Sequence, residues 1–115
     1  MLISMKTKEN LTEKDYKILC DLKKRLSKKI SILEMRVFGS RSRGNAEEYS
    51  DLDVFFVIET LDNTTKSIIR DITWEVGIEN LMVISPLIFS RDELTNSPLR
   101  SSPIVKNIMN EGIQI

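Results

Sequence analysis

The amino-acid sequence predicts an α/β (α+β) domain in which helices pack against a mixed sheet of three or more strands. Helical and strand patterns alternate in the order α-β-loop-β-α-β-α, with no repeat or linker between them. The second strand is apolar on both faces, which is typical of a central strand in a covered sheet. Such an order favours a layered architecture around one core. A chain of 115 residues is long enough for a single domain spanning 1–115.

The chain is expected to begin its fold with a helix followed by a strand. Apolar residues recur at three- and four-residue steps over 13–30, which predicts a helix with Thr12 as its N-cap. The pattern over 32–38 predicts the first strand, and Gly39 ends it.

A polar loop separates the first two predicted strands. Residues 40–50 are polar and glycine-broken, whereas 51–59 are rich in β-branched and aromatic residues and predict the second strand. A helix is then expected over 63–76, closed near Gly77. Its Trp74 is expected to be a core or interface aromatic.

The last third of the chain predicts a strand and two helices. Residues 81–89 form the third predicted strand, and Pro86 within it favours an edge position or a bulge. A short helical turn is expected over 90–94 and a last helix over 103–110, ended by Gly112.

Composition excludes several classes of function. The 17 basic and 17 acidic residues give a net charge of zero, so direct binding of nucleic acid is not indicated. No histidine is present, which excludes Ser-His-Asp and Cys-His catalysis. The single cysteine, Cys20, excludes an internal disulfide, suits a cytoplasmic protein and is expected to be buried. No apolar run approaches the ~20 residues of a membrane span.

Two acidic side chains stand at the start of the second predicted strand. Asp51 and Asp53 are two residues apart, so in a strand they project from the same face. Neighbouring carboxylates repel one another, and a divalent cation relieves that repulsion. Paired carboxylates and phosphate oxygens are usual ligands of Mg²⁺ in nucleotide enzymes. The pair therefore predicts a Mg²⁺ site on a rigid central strand.

The turn after the first strand supplies the second part of the predicted site. Gly39 allows a sharp bend and a close approach of the backbone to a ligand. Ser40 can then offer its amide and hydroxyl to a phosphate. Arg41 and Arg43 add guanidinium groups, which suit phosphate oxygens. Together with the two acids, these residues predict a site for a nucleoside triphosphate.

The combination of these features is more specific than any of them alone. A lone Asp-x-Asp is usually a turn or a helix cap, a lone Gly-Ser is usually a turn, and two arginines are usually surface charges. Here they occur together, across a ten-residue spacer between two predicted strands. That arrangement favours a nucleotide site.

The segment 39–59 reads GSRSRGNAEEYSDLDVFFVIE and resembles the nucleotidyltransferase superfamily, which includes the palm of DNA polymerase beta and kanamycin nucleotidyltransferase. That superfamily's hallmark is Gly-Ser, a spacer, then Asp-x-Asp. The spacer length, Arg43-Gly44 and Ser50-Asp51 are similar to the minimal nucleotidyltransferases. These are short proteins, often encoded beside a HEPN-domain RNase and acting as its antitoxin. The resemblance covers nearly the whole chain.

The resemblance implies a role for each residue of the motif. Gly39 and Ser40 would bind the triphosphate of ATP, and Asp51 and Asp53 would hold Mg²⁺. Family members of this kind transfer AMP from ATP to a tyrosine hydroxyl of the toxin. The family also places a third carboxylate on the following strand, where it is a base and a metal ligand.

This chain departs from the family at that third carboxylate. Ser85 looks like the matching position, and the strand around it, LMVISPLIF, contains no acid. Glu79 precedes this strand, and Asp92 and Glu93 follow it. Loss of a general base typically costs about 10²–10⁴-fold in rate.

Two hypotheses of different classes follow. In the first, the chain is a Mg²⁺-dependent nucleotidyltransferase that moves AMP from ATP to a hydroxyl of a partner protein, as the antitoxin of a HEPN RNase. In the second, it is a catalytically weakened module that neutralises a toxin by direct contact. Transfer to RNA or DNA is less favoured, because the chain has no separate nucleic-acid-binding domain. So short a chain is expected to need a partner, in a homo- or hetero-oligomer, to complete its substrate cleft.

Overall fold

The structure is a computed structural model that describes residues 11–39 and 51–115. Within these residues one mixed sheet has the strands β1 (Ile32–Phe38), β2 (Leu52–Ile58), β3 (Ile84–Ser90) and β4 (Ile113–Gln114). The strand order is β3-β2-β1-β4. β1 is antiparallel to β2 and to β4, whereas β2 and β3 are parallel.

The same residues form the helices that cover this sheet. In chain order they are α1 (Glu13–Ser27), α2 (Asn63–Glu79), α3 (Arg91–Asn96) and α4 (Pro103–Glu111), with a 3₁₀ turn at Pro98–Ser101 between the last two. The predicted α/β class, with helices against a mixed sheet, is confirmed.

The core lies on both faces of the sheet. β2 is buried at every position except Asp53, as its apolar sequence predicts for a central strand. On one face, its even-numbered residues from Leu52 to Ile58 pack with α1 and α2, and we call this the α1/α2 face. On the other, Phe55 and Val57 pack with Ile108 of α4, and we call this the α4 face.

Helix α1 starts where the sequence predicts it and ends earlier. The Thr12 hydroxyl accepts the amide of Asp15 at 3.0 Å, which caps the first turn. The helix ends at Ser27 rather than at residue 30, where the amides of Lys29 and Ile30 both converge on the Leu26 carbonyl at 2.9 Å. Cys20 is exposed, and the prediction that it is buried is wrong.

Helix α2 is longer than predicted because Gly77 does not end it. A Cβ atom at Gly77 would lie 2.6 Å from the Met82 carbonyl oxygen, so glycine lets the returning chain approach the helix closely. The turn instead falls at Leu81, which has a φ of 54°. As a consequence β3 begins at Ile84 and not at residue 81.

The two outer strands differ in how well the sequence predicts them. β3 lies at one edge of the sheet, which confirms the edge position that Pro86 favours. Gly112 ends α4 as expected. The two-residue strand β4 beyond it was not predicted, since its pairing with Arg36 and Val37 of β1 leaves no periodicity to detect.

Candidate nucleotide site

The two predicted metal ligands lie together at the start of β2. Asp53 is on the α4 face of the sheet, because it alternates with the buried residues of the other face. The pKa of Asp53 is raised, chiefly because its carboxyl is partly buried and also because the Asp51 charge is close. The closeness of the Asp51 charge to the Asp53 carboxyl is consistent with the prediction that both side chains lie on one face of the strand.

The glycine bend lies directly against this acid pair. Phe38, the last residue of β1, is the register partner of Asp53, so Gly39 leaves the sheet beside that carboxylate. Gly39 has a φ of 80°, a backbone conformation that favours glycine. A Cβ atom at this position would lie 2.6 Å from Oδ2 of Asp53. Both the conformation and the space therefore require glycine here.

Ser85 completes the described part of the site. In the parallel register of β2 and β3 it is the partner of Asp53. Its hydroxyl lies 3.5 Å from Oδ2 of Asp51, toward which it donates a long hydrogen bond. The position that looks like that of the family's third carboxylate is thus next to the acid pair, and it holds a neutral donor.

The nearby acids do not supply a replacement for that carboxylate. Glu79 accepts two hydrogen bonds from the Arg25 guanidinium, both at 2.7 Å, and this contact holds its pKa below the usual range. Glu93 accepts the Ser90 backbone amide in a capping box, and Asp92 accepts a hydrogen bond from the side-chain amide of Asn96 at 2.8 Å. Within residues 11–39 and 51–115, no group of three or more such side chains can hold a metal ion.

The remaining residues of the predicted site lie outside the described residues. These are Ser40, Arg41 and Arg43, which the sequence analysis assigns to phosphate binding. Their roles stay a prediction, as do the metal-binding roles of Asp51 and Asp53.

The donor set that the structure shows fits a small divalent cation. Mg²⁺ prefers oxygen ligands and is usually held by one or two carboxylates together with substrate phosphates. Asp51 and Asp53 provide two carboxylates side by side, and a bound cation would relieve their mutual repulsion. The bend at Gly39 brings the backbone close to the Asp53 carboxylate, without a side chain of its own between them.

A comparison with protein families identifies the fold that carries this arrangement. Residues 19–115 match the family model described as a nucleotidyltransferase domain. The chain belongs to the nucleotidyltransferase domain family. The match runs from the middle of α1 to the end of the chain and so includes the bend, the acid pair and Ser85 of this nucleotidyltransferase domain. The family resemblance predicted from the sequence is thereby confirmed.

One further comparison and one structural observation concern this nucleotidyltransferase domain. A search of curated proteins gives no match. None of its described helices combines the length and apolar character that crossing a membrane requires.

Sequence reasoning missed two features of the nucleotidyltransferase domain. Trp74 is largely exposed, which excludes the core alternative and leaves the interface one. Its position two residues from the buried Ile72 and Val76 could have shown this, because such a step turns to the opposite side of a helix. Arg36 of β1, which pairs with Glu34 at 2.9 Å, was not singled out either.

Proposed function

We propose that this domain moves AMP from ATP, with Mg²⁺, to a hydroxyl of a partner protein, and that the partner is a HEPN-domain RNase toxin which this modification silences. Members of the family generally use Mg²⁺ with a nucleoside triphosphate, which supports the cofactor. The observation that carries the proposal is the packing of the Gly39 bend against the Asp53 carboxylate. A phosphate and a cation can meet there.

The side chains of the site would mainly position the reactants. Asp51 and Asp53 would hold the cation from a buried central strand, whose rigidity limits their movement. When bound, Mg²⁺ would neutralise the negative charge on the phosphate oxygens during the transfer. Ser85 would keep the Asp51 carboxylate oriented through its hydroxyl. Positioning and electrostatics supply most of the acceleration in phosphoryl-type transfers.

The transfer itself exchanges one phosphorus–oxygen bond for another. The acceptor oxygen bonds to the α-phosphorus, the bond to the bridging oxygen breaks, and pyrophosphate leaves. The acceptor proton passes to solvent, because the described residues place no third carboxylate beside the pair. This makes the expected turnover slow by about 10²–10⁴-fold relative to a site with a dedicated base.

The test is label transfer to the product of the neighbouring gene, which this proposal expects to be a HEPN-domain protein. With [α-³²P]ATP and Mg²⁺ we expect label on the HEPN protein, and with [γ-³²P]ATP we expect none. Asp53→Asn should reduce transfer by about 10²-fold or more. Glu59→Gln, which changes an exposed acid at the other end of β2, is the matched control and should leave it unchanged. Label from the γ-phosphate, or full transfer by Asp53→Asn, would contradict the proposal.

A second candidate function is favoured by the serine at position 85. With two carboxylates instead of three, the domain would retain nucleotide and partner binding and neutralise the toxin by contact alone. Inhibition of the RNase by the wild-type chain and by Asp53→Asn alike, without label, would support this candidate over transfer.

Installing the missing acid separates the two candidates further. Because position 85 lies beside both acids, Ser85→Asp should raise the rate of AMP transfer by about 10-fold or more if the site is catalytic. Ser85→Asn has similar size and no charge, so it serves as the control. Equal rates for the two variants would show that the identity of residue 85 does not limit transfer.

A further inference from the structure

An exposed apolar surface lies at the end of α2 and on the turn into β3. Among the large apolar side chains of residues 11–39 and 51–115, the four most exposed lie here, namely Trp74 at 70%, Ile78 at 57%, Leu81 at 95% and Val83 at 62%. We call these four residues the Trp74 surface. A groove of about 260 Å³ passes through it, between α2 and the edge strand β3.

Backbone hydrogen bonds hold this surface in place. The Leu81 amide donates to the Ile78 carbonyl at 3.2 Å, and the Met82 amide donates to the Gly77 carbonyl at 2.8 Å. The turn that carries Leu81 is thus tied to the last turns of α2. A surface ordered in advance loses little conformational freedom when another molecule covers it.

The area of the Trp74 surface matches the apolar centre of a dimer interface. Its exposed fractions correspond to on the order of 500 Å² of apolar surface, the size of the largest patch on a typical monomer. A standard interface buries about 800 Å² on each partner, of which roughly 500 Å² is apolar in homodimers.

Opposite charges flank the apolar stripe of α2. Arg70 lies one turn before Trp74 and lines the groove on one side. Asp71 directly follows Arg70, and Glu75 directly follows Trp74. Both acids therefore lie on the other side of the stripe. The Glu75 carboxylate already lies 3.6 Å from the Arg25 guanidinium. Among the described residues of this edge, Asp71 is therefore the acid that is open to a cation from another molecule.

A second copy of the chain satisfies both observations. Two parallel helices related by a two-fold axis place the basic edge of each beside the acidic edge of the other. Arg70 of one copy would then face Asp71 of the second copy, twice in the interface. The exposed Leu81 and the groove lie at the same end of α2, so each copy presents an apolar side chain and a cleft.

We propose that the Trp74 surface is a two-fold interface between two copies of this chain, with their α2 helices side by side and pointing the same way. The interface uses neither Asp51 nor Asp53, so this inference does not depend on nucleotide transfer.

Self-association of the full chain tests the proposal. We expect sedimentation velocity to show a shift from monomer to dimer between about 1 and about 200 µM. Because Trp74 is the chain's one tryptophan, its emission should move to shorter wavelength over the same range. Leu81→Glu and Trp74→Glu should each raise the dissociation constant by about tenfold or more. Ile104→Glu, at an apolar position of α4 that is 49% exposed, is the control and should leave it unchanged.

Charge exchange tests the orientation. Arg70→Asp and Asp71→Arg should each weaken the dimer by about tenfold, because each places like charges opposite one another. The double variant restores opposite charges and should return to within about threefold of the wild type. Far-ultraviolet circular dichroism and the thermal midpoint identify variants that are folded. Where Trp74→Glu is not folded, Leu81→Glu carries the test.

Three results would overturn the proposal. The first is a wild-type chain that stays monomeric at 200 µM with a solvent-exposed tryptophan spectrum. The second is an Ile104→Glu variant that dissociates like Leu81→Glu. The third is a folded double charge variant that fails to recover.

Discussion

The two faces of the sheet have the same central strand and different tasks. On the α1/α2 face, every residue of β2 from Leu52 onward that points that way joins one large apolar cluster. On the α4 face, the cluster around Phe55 and Val57 is small and gives way to Asp53 at the start of the strand. The alternation of side chains along β2 thus places the main stabilising core on one face of the sheet and the candidate site on the other.

This separation explains how the acid pair can be tolerated. A partly buried carboxylate with a raised pKa, such as Asp53 beside Asp51, would destabilise a domain that had only one small core. Here the opposite face anchors the strand independently of them. The comparison leads to three predictions, given from the largest expected effect to the smallest.

Neighbouring phenylalanines of β2 give a matched test of the two faces. Phe56 lies in the large cluster and Phe55 in the small one, and both are fully buried. We expect Phe56→Ala to lower the free energy of unfolding by about 4 kcal/mol and Phe55→Ala by about 3 kcal/mol, because the cavity at Phe55 is next to fewer buried neighbours. Urea denaturation measures both. A larger loss for Phe55→Ala would reverse the assignment of the main core.

The contact between Gly39 and Asp53 gives a smaller effect that reaches the site. Gly39→Ala should lower the free energy of unfolding by about 1–2 kcal/mol, since its positive φ is unfavourable for alanine. It should also displace the Asp53 carboxylate and weaken Mg²⁺–ATP binding in calorimetry.

A double-mutant cycle with Asp53→Ala separates these two causes. Removal of the carboxylate relieves the contact with the new Cβ and leaves the backbone strain. The change in unfolding free energy of the double variant should therefore be less unfavourable than the sum of the changes in the two single variants. Additive changes in unfolding free energy would mean that backbone conformation alone constrains position 39.

The smallest effect concerns the charge of Asp53 without cation. Its raised pKa means that the folded chain binds the proton more tightly than the unfolded chain, so folding stability falls as the pH rises through the folded pKa. In EDTA, Asp53→Asn should therefore have a slightly higher thermal midpoint than the wild type at pH 7. The difference should shrink as the pH falls toward the ordinary value of 3.8. An unchanged difference between pH 4 and pH 7 would argue against a raised pKa of Asp53.

Much of the fold was predictable because its signals are local. The first strand matches its predicted bounds, and Thr12 and Ser90 cap helices through contacts three residues away. The predicted end of α2 was wrong because glycine is needed at position 77 for the close approach of the Met82 backbone. Only the folded turn creates that contact, so the local sequence does not show it. β4 was missed because its partner strand defines it.

The candidate site divides in the same way. The common direction of Asp51 and Asp53 follows from strand geometry, which the sequence carries. Their closeness to Gly39 and to Ser85 depends on the register of β1 and β3, and residue spacing does not contain that register. Ser85 was noticed through resemblance to a family and not through any local pattern.

The fit between position 39 and the carboxylate of Asp53 also limits how this protein can change over generations. An ordinary side chain at 39 would occupy the place of that carboxylate, so position 39 cannot accept one while Asp53 is retained. The reverse does not hold, because a smaller residue at position 53 leaves Gly39 undisturbed. Descendants that abandon the site are therefore expected to lose Asp53 before Gly39.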